Sequence, residues 1–467
     1  MKDYDLVVIG AGPGGYVAAI RGAQKGLKVA VIEYDKTGGT CLNRGCIPTK
    51  SIMHSSHLYK EILNSEEYGI LASNVGYDID KIYDRKNGIV ESLRNGVEQL
   101  FKAHKIDHYK KKASIKDKNT VIVRGDGEEE TLNTKYIIIA TGSKPTPLPG
   151  TMMNHKNVFD SDEALAEKGK IYKRIVIVGG GVIGVEFASI YNALGCEVSI
   201  IGSRPQLLRR LDREISQNTA MIFKKRGIKV FTPARVQEIL EENDELICKV
   251  SYKDAIEEIR CDGVLVCVGR KPVTEGLFED GFSVELENGF VKINENLQTN
   301  FENIYAIGDC TDGTFLAHAA SAQGINAVSH IVGEEPPMDL NAIQSCVYGD
   351  PEIAQVGMTA DEAKEKGIEV KVGKYVMTNN GRTMIANEDR SFIKLVFDAE
   401  TEVILGAQLM CSRATDLISE LSVAIVNKLT AEEIASVIHP HPTFTEGVTE
   451  AVEDIFGLAV HMMPKRK

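Results

Sequence analysis

Leu6-Val7-Val8-Ile9-Gly10-Ala11-Gly12-Pro13-Gly14-Gly15 carries four apolar residues straight into a cluster of glycines. Val17, Ala18 and Ile20 follow with helical character. A short strand, a tight turn and a helix in that order make a dinucleotide-binding unit. Gly10 permits the turn, Gly12 lets a pyrophosphate approach the backbone, and Gly15 allows close packing of helix on strand, with the phosphates at the helix N-terminus. Lys28 to Ile32 predicts the next strand, ending on Glu33, 23 positions after Gly10, where a carboxylate accepts hydrogen bonds from a ribose.

The same pattern returns later in the chain. Ile175 to Val178 leads into Gly179-Gly180-Gly181-Val182-Ile183-Gly184 and a predicted helix through Leu194, so two Rossmann-like units are expected in an α/β chain. Val198 to Ile201 predicts the second strand of this copy, and the position matching Glu33 is Gly202. Ser203, Arg204, Arg209 and Arg210 stand in place of the acid. A carboxylate there repels a 2'-phosphate and an arginine fork pairs with it, so the pattern favours NADP over NAD in the second unit.

Between the two units lies Gly38-Gly39-Thr40-Cys41-Leu42-Asn43-Arg44-Gly45-Cys46-Ile47-Pro48-Thr49-Lys50. Two cysteines five positions apart in a Gly-rich entry to a helix suggest a reactive dithiol. A helix N-terminus lowers a thiol pKa, and Lys50, about one turn beyond Cys46, favours the thiolate further. Helices are predicted from Ser51 to about Asn64 and from Ile79 to His104. Strands are expected at 106 to 115, 120 to 124 and 136 to 143, the last ending in Thr141, Gly142 and Ser143. Pro145, Pro147 and Pro149 mark a linker. Val264 to Arg270, with Gly269, closes the second unit. Leu297 to Thr299 and Ile304 to Asp309 predict a strand ending in an acid, ahead of a helix from near Leu316.

Beyond Glu334-Glu335-Pro336-Pro337 the pattern becomes an α+β module with an antiparallel sheet: strands at 370 to 377, 392 to 397 and 404 to 410, helices at 360 to 366, 415 to 427 and 431 to 438. It ends in His439-Pro440-His441-Pro442-Thr443-Phe444-Thr445-Glu446. A carboxylate five positions after His441 is placed to orient an imidazole as a general base.

The 467 residues carry a net charge of −12, and only short basic clusters occur, Lys110 to Lys112 and Lys465 to Lys467. Neither nucleic acid nor an anionic membrane is the expected partner. The first strand begins too early to leave room for a signal peptide, and no run of 18 apolar residues predicts a membrane span. Nine cysteines, seven of them scattered without metal spacing, suit a reducing cytoplasm with one catalytic pair and no metal site.

Taken together and in this order, the two dinucleotide units, the Gly-Gly-Thr-Cys-(four residues)-Cys segment, the strand into Asp309 and the terminal His-Pro-Thr with Glu446 resemble the class I pyridine nucleotide-disulfide oxidoreductases. The resemblance covers essentially the whole chain. Within that family the segment Cys41 to Lys50, Leu316-Ala317-His318 and His439-x-His441-Pro-Thr are similar to the branch that oxidises dihydrolipoamide. Glutathione reductases usually have Tyr where this chain has Val182.

The resemblance implies an FAD-binding domain over 1–145, an NAD(P)-binding domain over 146–270, a return segment over 271–338 completing the FAD region, and a dimerisation domain over 339–467. FAD is expected at Gly10, Gly12, Gly15, Glu33, Lys50, Ala113, Thr141, Gly142, Ser143, Asp309, Leu316, Ala317 and His318. The nicotinamide cofactor is expected along Gly179, Gly181, Gly184 and Glu186, with Ser203, Arg204, Arg209, Val236 and Gly269. Lys50 is expected to pair with Glu186 beside the flavin. A two-fold homodimer is implied, with His441 and Glu446 delivered to the partner's Cys41–Cys46 disulfide, and a lipoyl-bearing protein as substrate. An NADPH-dependent reductase of another disulfide, and a docking or redox-sensing subunit, remain the alternative readings.

Overall fold

The computed structural model describes residues 2–463 apart from Met152, Asp244 and Asp389. The basic cluster at 465 to 467 lies outside the described residues. The chain divides into two compact units, Met1–Lys173 with Asp262–Leu340, and Arg174–Cys261 with Asn341–Lys467.

The first unit is built around β1 (Lys2–Ile9), followed by α1 (Pro13–Gln24) and β2 (Val29–Ile32). α2 (Gly39–Arg44), α3 (Cys46–Leu63) and α4 (Ile79–Ala103) come next, then β3 (Asp107–Tyr109), β4 (Lys112–Asp117), β5 (Thr120–Gly125) and β6 (Glu128–Ile139). β1 runs parallel to β2, with Leu6 opposite Val29, and parallel to β6, with Leu6 opposite Tyr136. Strand Ile304–Ala306 lies parallel on the far side of β6.

β1 is apolar on both faces because both are covered. Leu6 and Val8 join Ala18, Val31 and Val328 in one core, while Val7 and Ile9 join Ile32, Val121 and Ile137 in another. β6 begins eight residues before the apolar run that predicts it, because its polar first half pairs antiparallel with β5. The strand expected at 297 to 299 does not form. The Asn294 side chain accepts the backbone N–H groups of Asn296 and Gln298, each at 3.0 Å, and bends the chain into a local turn there.

In the second unit, Arg174–Val178 pairs parallel with Glu197–Ile201, which pairs parallel with Lys229–Phe231. Helix Val182–Ala193 follows the second glycine turn. Ala234–Glu242, Glu245–Tyr252 and Ala255–Cys261 form an antiparallel meander. The remaining residues form a five-stranded antiparallel sheet, its central strand Ile404–Met410 flanked by Ile353–Gly357 and Phe392–Asp398. Helices Ala414–Val426 and Glu446–Glu453 close over its core through Ile418, Leu421, Val448 and Val452. The helix expected over 431 to 438 ends at Ala435, where the Ser436 hydroxyl donates to the Glu433 carbonyl at 2.7 Å and competes with continuation of the helix. No helix among the described residues is long and apolar enough to cross a membrane.

Candidate active site and nucleotide sites

The glycine turn of the first unit is closed by steric necessity. Gly10 has φ +102°, and a Cβ there would stand 2.3 Å from the Ala140 carbonyl oxygen. A Cβ on Gly15 would stand 1.9 Å from the Gly10 carbonyl oxygen. Gly12 caps α1, with Pro13 in its first turn. The loop that leads to the cysteines rests on this turn. The Gly38 N–H donates to the Ala11 carbonyl at 2.8 Å, and a Cβ on Gly39 would come within 2.6 Å of the Gly12 Cα.

The first unit gives the polar residues expected from the sequence the following partners. The buried Glu33 carboxylate accepts the N–H groups of Ala11 at 2.9 Å and Asp35 at 2.8 Å, and burial pushes its pKa up. Ser143 donates its hydroxyl to Asp309 at 2.6 Å and accepts from the Arg270 Nε at 2.8 Å. Arg270, just after Gly269, also donates to the Ser143 carbonyl at 2.8 Å. Burial raises the Asp309 pKa. The Thr141 hydroxyl is buried without a hydrogen-bond partner. Leu316 is the N-cap of helix Ala317–Ile331, with Ala317 and His318 in its first turn. Ala113 is half-buried in β4 opposite Val123. An orphaned hydroxyl, a buried acid, a helix N-terminus and a tight glycine turn fit a group that combines a polyol with a pyrophosphate, as FAD does.

Cys41 on α2 and Cys46, the first residue of α3, form a disulfide with Cα atoms 4.6 Å apart. Lys50 follows one turn along α3. The Asn43 side chain donates to the Thr37 carbonyl at 3.0 Å and the Gly39 carbonyl at 2.9 Å, and the Thr49 hydroxyl donates to the Gly45 carbonyl at 2.6 Å, so both ends of the loop are fixed. The other seven cysteines are free thiols. Cys310 shows how inert such a site is, since burial pushes its thiol up to about 11.

The second unit repeats the glycine geometry, with a Cβ on Gly184 standing 2.0 Å from the Gly179 carbonyl oxygen and Gly181 capping helix Val182–Ala193. Buried Glu186 accepts the Tyr348 N–H at 3.0 Å. A Cβ on Gly202 would stand 2.8 Å from the Thr232 Cγ2 and in ordinary contact with the Gly180 backbone, so a side chain there would displace the Thr232 methyl. Ser203, Arg204 and Arg209 are exposed, and Val236 is half-buried in the meander.

His439 and His441 separate by environment. His441 is 78% exposed and its Nδ1 lies 2.8 Å from Glu446 Oε1. Glu446 also accepts the Thr443 N–H at 2.8 Å. Burial works to raise the Glu446 carboxyl, but the Thr443 N–H and the His441 ring outweigh it and hold the group below the usual range. His439, 6% exposed, is held on both nitrogens, by Glu420 Oε1 at 2.8 Å and the Thr449 hydroxyl at 2.9 Å. Of these two, His441 presents its ring outward. Two contributors escape sequence reasoning. Arg44, inside the cysteine loop, is bonded to Asp35, and Asp162 lies beside it. The only sequence signal of Arg44 is a charge in an otherwise uncharged loop, and Asp162 stands among other acids at 160 to 163 with no signal of its own.

Dinucleotide units that share one chain with a helix-borne disulfide and an outward-facing His–Glu pair define a nucleotide-linked disulfide oxidoreductase. Residues 4–324 match the family model described as pyridine nucleotide-disulphide oxidoreductase, and 343–452 match the dimerisation domain of that family. The chain belongs to the pyridine nucleotide-disulphide oxidoreductases, enzymes that bind FAD and NAD(P). It is similar to a dihydrolipoyl dehydrogenase of Bacillus subtilis (strain 168), 40% identical over 98% of this chain and 99% of the relative. A dihydrolipoyl dehydrogenase of Geobacillus stearothermophilus is 39% identical over 99% and 98%. Among solved structures, the HOCl-induced flavoprotein disulfide reductase RclA from Escherichia coli superposes with a TM-score of 0.85 at 27% identity, covering 96% of this chain and 99% of that one.

Proposed function

We propose that the protein oxidises dihydrolipoamide to lipoamide through Cys41 and Cys46 and passes the electrons to a nicotinamide, or runs the reverse reaction. The observation that carries this reading is the Cys41–Cys46 disulfide at the start of α3, seated on the glycine turn of the first unit. The relatives named dihydrolipoyl dehydrogenase supply the substrate class. In the forward direction His441, its Nδ1 side held by Glu446, takes a proton from one substrate thiol. The thiolate attacks Cys41 Sγ, the protein S–S bond breaks, and Cys46 leaves as a thiolate. The second substrate thiol attacks the mixed disulfide and closes the lipoamide ring, its proton passing to the released Cys41. Bound FAD supplies a two-electron acceptor for the dithiol and a hydride donor to the nicotinamide. Lys50 would supply a cation beside it, and Gly10, Gly12, Gly15, Glu33, Thr141, Gly142, Ser143 and Asp309 would hold it.

Cys46→Ser in the flavin-loaded enzyme is expected to abolish the thiolate-to-flavin charge-transfer absorbance on reduction. Persistence of that band would reverse the roles given to the two sulfurs. His441→Gln is expected to lower kcat by about 10²- to 10⁴-fold, the usual contribution of a positioned acid–base group. A loss under threefold in steady-state assays would remove His441 as the base.

For the nicotinamide, the absence of an acid at Gly202 together with exposed Arg204 and Arg209 favours NADP. Specificity constants for NADPH and NADH decide this, and a strong NADH preference overturns it. Reduction of another disulfide by NADPH is the second reading, favoured by the same arginines, and lipoamide against glutathione disulfide as substrate separates the two. The partners in this reading are a second copy of the chain and a lipoyl-bearing protein. Seven free thiols suit a reducing cytoplasm.

A further inference from the structure

Arg44 is the one charged side chain between the two cysteines, and what it touches bears on the thiolate the reaction needs. Its guanidinium bonds Asp35, and its Nε lies 3.7 Å from Asp162 Oδ2. The other carboxylate oxygen, Asp162 Oδ1, lies 3.7 Å from Arg270 Nη1. Arg270 is the residue that holds Ser143, and through it Asp309. Asp162 Oδ1 is buried without a hydrogen-bond partner, so its two arginines balance it by charge rather than by direct bonds. The backbone of Asp162 is independently fixed, because the Asp160 carboxylate caps the short helix Ser161–Ala164 by accepting the N–H groups of Asp162 at 2.9 Å and Glu163 at 3.0 Å. An orphaned carboxylate between two arginines, one in the redox loop and one behind the expected polyol site, is not needed for that helix.

We propose that Asp162 is a positioning residue for the redox disulfide: by sharing Arg44 with Asp35 and engaging Arg270, it sets how much of the Arg44 cation reaches the Cys46 thiolate. This rests on the dithiol reading above. Burial raises the Asp162 pKa against the two arginines, and Asp160 adds to the rise. Asp35 and Tyr34 face Arg44, Glu163 is engaged by His155, and Lys50 follows Cys46, so these charges form a constant background to the substitutions.

Asp162→Asn keeps the shape and removes one of the two carboxylates that neutralise Arg44. More of the cation then acts on the thiolate, and its apparent pKa falls by about half to one unit, the scale of one partly screened charge. The disulfide also becomes easier to reduce. Arg44→Gln removes the cation and moves both quantities the opposite way. Asp162→Glu restores the wild-type values.

The test uses the flavin-loaded full-length protein. One arm titrates the charge-transfer absorbance of the two-electron-reduced form with pH. The other measures the Cys41–Cys46 dithiol–disulfide equilibrium against glutathione by alkylation. Opposite shifts in Asp162→Asn and Arg44→Gln, with Asp162→Glu near wild type, support the proposal. Shifts of the same sign in both variants, as general loosening of the loop produces, overturn it, and so do unmoved variants beside a normal wild-type thiolate. A wild type with no such thiolate overturns the dithiol reading and this proposal with it.

Discussion

Thr141 carries a hydroxyl that is buried and unpartnered, and such a group costs about 1 to 3 kcal/mol in the protein by itself. The cost is offset only if a ligand supplies the missing hydrogen bond. Thr141→Val keeps the shape and removes the hydroxyl, so two quantities should move in opposite directions. The flavin-free protein should unfold at a higher temperature, and the flavin-loaded protein should lose flavin several-fold more readily on dilution. If stability and flavin retention fell together, the hydroxyl would have a protein partner and no part in the cofactor site.

His439 makes the complementary case, a histidine whose bonds are complete. Its pKa is raised by the Glu420 hydrogen bond, which outweighs burial. A histidine raised in the folded state contributes stability that is fully present below its unfolded value, near 6.5, and is lost as pH rises through the folded value. The difference in unfolding free energy between wild type and His439→Gln should therefore shrink on going from about pH 5.5 to above the folded pKa. A difference that grew with pH would contradict the ion pair. His441, exposed beside Glu446, should leave global stability nearly unchanged when replaced, while activity falls.

At the scale of elements, α4 was legible in the sequence as a helix from Ile79, and it ends within a residue of the expected His104. What it grips was not. The Tyr83 hydroxyl donates to the Ala164 carbonyl at 2.7 Å, and Lys86 Nζ donates to the Leu165 and Ala166 carbonyls at 3.0 and 2.7 Å. These acceptors are some 80 positions away, and no local spacing encodes them. Burial pushes the Lys86 amine down to about 8. Between that value and the unfolded 10.5 the unfolded chain binds the extra proton, so stability contributed by this group rises with pH across the window. Lys86→Met should lose about 2 kcal/mol by leaving buried carbonyls unpaired, and its deficit should widen from about pH 8 to 10.5 in denaturant titrations.

The same contrast runs through the site. Gly10, Gly15 and Glu33 were readable because one strand–turn–helix imposes their spacing. The turn at 297 to 299 was misread as strand because its apolar leucine carries no trace of the Asn294 side chain that bends it. Arg44 and Asp162 were silent because the residues that give them meaning come together only in the folded unit.

At the scale of the whole molecule, the function depends on where the partner of the Cys41–Cys46 pair comes from. Ile438 is 95% exposed, and Val423, Val426 and Val437 are exposed as well. The His439–Glu420 bond ties the segment of Ile438 to the helix of Val423 and Val426, so these apolar side chains belong to one structural neighbourhood of the second unit. It lies in the part of the chain that matches the family's dimerisation domain. Apolar surface of this kind is what a two-fold contact buries, and His441 follows Ile438 by three residues. If each disulfide is served by the other subunit's histidine, Cys46→Ser and His441→Gln are separately inactive, yet a mixed dimer keeps one site with both groups intact. Random exchange makes half the dimers mixed, with one working site in two, so equimolar mixing after dissociation and reassociation should restore about a quarter of wild-type activity. If the base acts within its own subunit, no mixed dimer holds an intact site and mixing restores nothing.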